Sequence, residues 1–242
     1  MLLPRSSPQL KPEQCFGWSA HAWARPWRAF MAEYWRVHGA QVVPRALELG
    51  AGAHSSLAPL LLPLAQTVEC SAYDAATLPE IKARNDALLP PPERARITYT
   101  RQDARALQGQ WDLIVLKSVL GGLHRVPGSS LADVHATLAQ LLQHLTPGGW
   151  LVTLDNGASA VAPLLAGLGA RRNGWRLLRR GDLPAPTFYA SFGVLSSFSA
   201  ATRLGPLGEV VDGVLYLADR ALSPLAHQHA VHLHAYRHEE AV

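Results

Sequence analysis

Hydrophobic and polar positions change rhythm in blocks along this chain. Short apolar or β-branched runs fall at 46–49, 67–70, 97–100, 113–115 and 150–154, several of them ending in turn or acidic residues. Between them lie stretches long enough for helices, at 57–65, 76–89 and 131–145. Strand-length runs that alternate with helix-length ones predict βαβ units and a mainly parallel sheet. Late in the chain, 188–198 and 229–236 read as two more strands with little helix between them. That spacing predicts an antiparallel end to the sheet. The expected fold class is therefore α/β, a Rossmann-like doubly wound sheet, mainly parallel, with an antiparallel last strand. Such sheets bind ligands at the carboxyl ends of their strands.

The first forty residues read differently. Residues 1–16 are polar and spotted with proline, the pattern of a mobile arm. From 18 to 38 the pattern turns helical, and Pro26 suits the first turn of a helix. Trp27, Phe30 and Tyr34 fall on one face, and Met31, Trp35 and His38 on a neighbouring one. Two readings follow: a helix packed on the sheet edge, or an aromatic lid over a substrate pocket. The expected organisation is an N-terminal arm and helix over 1–40, then one domain over 41–242.

Composition narrows the class. At 242 residues, with 48% hydrophobic and 17% charged, the chain is globular and has room for a large core. Its net charge of +4 comes with arginine far outnumbering lysine, a balance that suits an anionic small substrate as well as nucleic acid. No nucleic-acid partner is expected. Two cysteines, Cys15 and Cys70, imply no disulfide framework and fit a reducing cytoplasm. The uncharged stretch 183–202 holds two prolines and many hydroxyl side chains, which is not the composition of a membrane span.

The chemistry starts at Glu48-Leu49-Gly50-Ala51-Gly52-Ala53-His54. A strand that runs into Gly-x-Gly lets backbone N–H groups approach a nucleotide-type ligand without Cβ interference. The stretch is also one residue away from the fingerprint of dinucleotide-binding oxidoreductases. What lies downstream favours S-adenosylmethionine over NAD.

In order and spacing the motifs resemble those of the class I S-adenosylmethionine-dependent methyltransferases over about 45–156. Glu48 to Gly52 is similar to the first motif, which implies a glycine turn around the methionine part of the cofactor. Glu48 would orient that turn or the cofactor's ammonium group. Asp74, after Cys70-Ser71-Ala72-Tyr73, is similar to the acid on the ribose hydroxyls, although it stands a residue or two late. Asp103-Ala104 resembles the pair that meets the adenine. Trp111 to Ser118, which includes Lys117, resembles the fourth-strand motif beside the transfer site. Leu145-Thr146-Pro147-Gly148-Gly149 resembles the lead into the fifth strand. A third glycine common in the family is missing near Ala53-His54. Shorter likenesses, at 116–122, 173–176 and 192–193, point to bacterial members found with polysaccharide biosynthesis.

Methyl transfer needs alignment and, for a hydroxyl acceptor, removal of a proton. The expected acceptor is a small molecule, saccharide-type or phosphate-bearing, with oxygen favoured. The Asn/Asp-Pro-Pro-Tyr signature of nucleobase methylases is absent, since Leu116-Lys117-Ser118-Val119 stands in its place. His124 is the expected general base, because imidazole titrates near neutrality. Asp155 would orient the acceptor, and Lys117 would take part or tether Asp155. The cluster Arg171, Arg172, Arg176, Arg179 and Arg180 would bind phosphate, meet a membrane surface, or face solvent. His227, His229, His232, His234 and His238 lack an acid or cysteine at ligand spacing, so no metal site is expected.

Overall fold

The computed structural model describes residues 10–17, 20–124, 128–157, 176–192, 231–238 and six helical positions between 207 and 218. The described strands are β1 (Val43–Leu49), β2 (Ala65–Ala72), β3 (Ile97–Arg101), β4 (Trp111–Lys117), β5 (Leu145–Asn156), β6 (Phe188–Phe192) and β7 (Val231–Arg237). They form one sheet in the order β3-β2-β1-β4-β5-β7-β6. Strands β1 to β5 pair in parallel, and β7 runs antiparallel to both β5 and β6. The expected fold class stands. The first five strands begin within three residues of their expected starts or extend beyond them, because their polar ends join the hydrogen-bond ladder that pattern reading credits only to apolar positions.

Helices cover both faces. On one lie α1 (Glu13–Phe16), α2 (Ala20–His38), α3 (Ala58–Leu61) and α4 (Leu78–Leu88), which share a core with Val68, Cys70, Leu113, Val115, Trp150 and Leu233. On the other lie α6 (Val119–Leu123) and α7 (Leu131–Leu142), over Leu47, Leu49, Ile114, Leu116 and Leu151. The short α5 (Pro91–Arg94) precedes β3. Central strands buried on both faces read as unbroken apolar runs, which is why Leu113 to Leu116 carry no polar side chain. The capping box Ser130–Asp133 starts α7, with Ser130 Oγ accepting the Asp133 N–H.

Three expectations change here. Helix α2 starts at Ala20, so Pro26 sits inside it. Burial of Ala20, Ala22, Trp23 and Ala24 outweighs the hydrogen bond that Pro26 cannot donate. The stretch 57–65 holds a single helical turn, because Ala65 already belongs to β2. The described part of the arm is packed: Cys15 and Phe16 are fully buried, and the Cys15 carbonyl accepts the Ser56 N–H at 3.1 Å.

Candidate active site

Every expected site residue belongs to a strand or to the segment that leaves its carboxyl end. The turn after β1 is built first. Gly50 has φ +83°, and a Cβ there would stand 2.5 Å from Val119 Cγ2. Glycine is required on both counts. The Gly50 and Ala51 N–H groups donate to the Ser71 carbonyl at 3.0 and 2.7 Å, which locks the turn onto β2. Gly52 has open space where its Cβ would lie and pairs with Ser55 through a short bridge.

Glu48 lies behind this turn. It is 3% exposed and faces α3. Its Oε1 accepts the Leu57 N–H at 2.6 Å, and its Oε2 accepts the Ala58 N–H at 2.8 Å and the Ser56 hydroxyl at 2.7 Å. The Cys70 thiol points at Oε2 from 3.4 Å. The carboxylate therefore serves the unsatisfied first N–H groups of α3. Burial pushes its carboxyl above the usual value, and these bonds pull it back.

The two acids of neighbouring strand ends are exposed or half-buried. Asp74 follows β2, and its Oδ1 accepts the Ala76 N–H at 2.9 Å. Asp103 follows β3, with Ala104 buried beside it. Arg105 donates to both Asp103 oxygens, at 3.0 and 2.9 Å, and holds that carboxyl below its usual range. The same guanidinium stands 5.8 Å from the centre of the Tyr73 ring.

At the end of β4, Lys117 Nζ stands 4.5 Å from the centre of the Trp23 ring on α2. Burial pushes its amine down to about 8, while the Glu48 and Asp155 carboxylates act in the opposite sense. Ser118 has φ +58°, a left-handed conformation that no other described non-glycine residue adopts. Such strain gathers at functional sites. Asp155, next to last in β5, is 1% exposed. Its Oδ1 accepts the Gly121 N–H at 3.3 Å, and its Oδ2 has no hydrogen-bond partner among the described residues. Burial pushes its carboxyl up to about 6, against the pull of the Gly121 N–H, the nearby Thr153 hydroxyl and Lys117. Glycine at 121 lets the Arg176 backbone pack against α6, because a Cβ there would lie 2.5 Å from the Arg176 carbonyl oxygen.

His124 packs against α7. Its Nε2 lies 3.0 Å from Thr137 Oγ1 on α7, and that hydroxyl donates to the Asp133 carbonyl. Asp133, Arg176 and Arg105 set its electrostatics, and burial pushes the imidazole down. Of the arginine cluster, Arg171 and Arg172 lie outside the described residues, as do His227 and His229. Arg176 binds the carbonyls of His124 and Ser129. Arg180 covers the Tyr189 ring at 4.6 Å. Trp23, Ser118 and Tyr189 were not among the expected site residues. The bulk of Trp23 is visible in sequence, but its reach to Lys117 depends on where α2 begins.

A family model described as a methyltransferase domain matches residues 19–191. The chain belongs to that family. Its matched part is a class I S-adenosylmethionine-dependent methyltransferase domain, a family whose cofactor is S-adenosyl-L-methionine. Among solved structures the methyltransferase is similar to magnesium protoporphyrin IX methyltransferase from Synechocystis PCC 6803. The identity is 15% and the TM-score 0.51, with 68% of this chain and 73% of that one covered. At that identity the likeness bears on the fold alone. It is also similar to the N-methyltransferase NodS from Bradyrhizobium japonicum WM9, at 19% identity over 58% of this chain with a TM-score of 0.41. A third likeness is to CalS10, an amino pentose methyltransferase from Micromonospora echinaspora, at 23% identity over 52% of this chain with a TM-score of 0.39. The methyltransferase spans 66% of the NodS chain and 48% of the CalS10 chain. No curated protein matches it. Among the described residues, no helix is long and apolar enough to cross a membrane.

The glycine turn and the acids after β2 and β3 fit the cofactor. They lie at the carboxyl ends of three adjacent strands, and only glycine can take the Gly50 position.

Proposed function

We propose that this methyltransferase methylates a hydroxyl of a small, saccharide-type acceptor in the cytoplasm, as members tied to polysaccharide biosynthesis would, with Asp155 at the reacting group. Asp155 Oδ2 carries the reading: a buried carboxylate oxygen at the carboxyl edge with no partner among the described residues. An acceptor hydroxyl that donates to it would be oriented and relieved of its proton by the same contact. The cofactor supplies a methyl group activated by a sulfonium leaving group. Gly50, Gly52, Asp74, Asp103 and Ala104 are the residues we assign to holding it, with Glu48 as the anchor of the turn. Lys117, under Trp23, offsets the buried carboxylates. Asp155 takes the place of His124 as the base in this reading, because its Oδ2 meets no described partner whereas the His124 ring is held against Thr137 on α7.

Asp155→Asn is expected to lower turnover by about 10²–10⁴-fold, the usual contribution of a positioned base. Its affinity for S-adenosylhomocysteine should hold. Wild-type turnover should fall as pH drops through about 6, because the carboxylate then takes up a proton. A labelled-methyl assay across hydroxyl and amine acceptors checks both. Full activity in the variant, or transfer to amines alone, would overturn the reading.

Cofactor affinity gives a separate test. Asp103→Ala should weaken S-adenosylhomocysteine binding by about 1–3 kcal/mol, the cost of stranding a hydrogen-bond partner. Arg105→Ala breaks a half-exposed ion pair of small value and should not weaken it. Calorimetry on both variants decides. Equal affinity in Asp103→Ala and wild type removes Asp103 from the adenine.

A further inference from the structure

The segment 193–230 joins the edge strand β6 to β7, and its six described positions are helical: Leu207, Val210, Val211, Val214, Leu217 and Ala218. Spacings of three and four put all six along one face of a helix. An unbroken apolar stripe of this kind is the pattern of a face that packs on something. Yet its five large side chains are open to water: Leu207 is 72% exposed, Val210 65%, Leu217 64%, Val214 61% and Val211 37%. Two other large apolar side chains, Val42 and Tyr73, are exposed among the described residues. Those two stand singly, since Val42 precedes β1 and Tyr73 follows β2, at opposite ends of parallel neighbours. The stripe exposes on the order of 500 Å², at the upper end of the patches that single chains keep in water.

The order of the side chains selects what covers the stripe. Leu207, Val210, Val214 and Leu217 stand three, four and three residues apart, so the row reads Leu-Val-Val-Leu in both directions. A two-fold axis through the middle of the row brings Leu207 of one copy onto Leu217 of the other, and Val210 onto Val214. An isologous contact between identical chains requires this self-complementarity, in which residue i meets j and j meets i. Two such stripes, packed as antiparallel helices with interlocking ridges, together remove about 1,000 Å² from water, the lower limit for a specific interface. Charge favours the same occupant. Between 207 and 220 the chain carries Glu209, Asp212 and Asp219 against one base, Arg220. An anionic bilayer surface calls for lysine and arginine beside the apolar face, so this composition is the wrong one for it. The row itself holds no charge that would repel a second copy.

We propose that this stripe is a homodimer interface, in which the helices that carry it pair antiparallel about a two-fold axis. The segment belongs to the β7-β6 side of the sheet, whereas the glycine turn and the acids assigned to the cofactor follow β1, β2 and β3 on the other side. Dimer formation and cofactor binding are therefore separable. An interface near the lower size limit gives a weak dimer, with a dissociation constant on the order of micromolar.

Sedimentation velocity of the full chain from about 1 to 100 µM, which brackets that constant, should show a monomer–dimer equilibrium. Val214→Glu and Val210→Lys each put an unpaired charge into the contact and should weaken the dimer by about 100-fold or more. Circular dichroism and S-adenosylhomocysteine affinity should stay at the wild-type values in both, because the side chains are exposed in the monomer. An equimolar mixture of the two variants should dimerise again, since antiparallel pairing sets position 210 of one copy against position 214 of the other. Parallel pairing would set 210 against 210, and the mixture would stay monomeric. The proposal falls if the wild-type chain is monomeric throughout, including the case where it floats with phosphatidylcholine vesicles instead. It also falls if the dimer survives both substitutions, or if the mixture does not restore it. Loss of folded structure in both variants would overturn it as well, because the stripe would then be core and not surface.

Discussion

Deletion of residues 1–40 is expected to yield a chain that does not fold, with S-adenosylhomocysteine binding lost along with the structure. Trp27, Phe30 and Tyr34 are at most 2% exposed, and they pack where β5, β6 and β7 meet α2. The Phe30 ring stands 5.9 Å from Trp150 and 6.2 Å from Phe188. Trp150 Nε1 donates to His38 Nε2 at 2.8 Å, which ties the last turn of α2 to β5. Removal of α2 would leave this sheet face open to water. Phe30→Ala alone should cost about 3–5 kcal/mol, the range for deleting a buried aromatic ring. Denaturant unfolding followed by tryptophan fluorescence reads both effects. A truncated chain that still unfolds cooperatively and binds S-adenosylhomocysteine would show that the core closes without α2.

This expectation departs from the lid reading of the same helix, and the reason is geometric. Periodicity identifies two apolar faces on a helix but not what lies beneath each. Trp27 and Tyr34, which a lid would present to the acceptor, are core side chains. The turn that approaches the site is the first one, through Trp23 over Lys117, and it precedes Pro26. We assign the roofing role to that turn. Reading Pro26 as the start of the helix hid it.

The sheet was legible because apolar runs of strand length alternate with helix-length stretches, and that rhythm survives local errors. The glycine turn was legible for a similar reason: Gly50 answers to backbone sterics that act within a few residues. His124 and Asp155 were not separable in that way. Both stand just after strands at the carboxyl edge, and their chemistry is apt on paper. The difference between them is tertiary. Thr137, on the next helix, meets one His124 ring nitrogen, while Asp155 Oδ1 accepts the Gly121 N–H of α6 and Oδ2 has no partner among the described residues.

Glu48→Ala is expected to lower stability by about 3–5 kcal/mol, the range for breaking a buried, hydrogen-bonded charge network. Four donors converge on this carboxylate, and two of them are the backbone N–H groups that open α3. With the carboxylate gone, Leu57 and Ala58 keep buried N–H groups that no water replaces, and Ser56 loses its tie to β1. The Asn85 side chain, which donates to Ser56 Oγ at 3.0 Å, extends the damage to α4. Glu48→Gln keeps the shape but replaces one acceptor oxygen with a donor that faces other donors, so it too should destabilise, by less. Cofactor affinity should fall in step with stability, because the Gly50 turn rests on the same network. The alternative role for Glu48, direct contact with the cofactor's ammonium group, gives a different pattern. Glu48→Gln would then lose affinity while its unfolding midpoint stayed at the wild-type value. Chemical denaturation and calorimetry on one preparation separate the two, and unchanged stability would overturn the anchoring role.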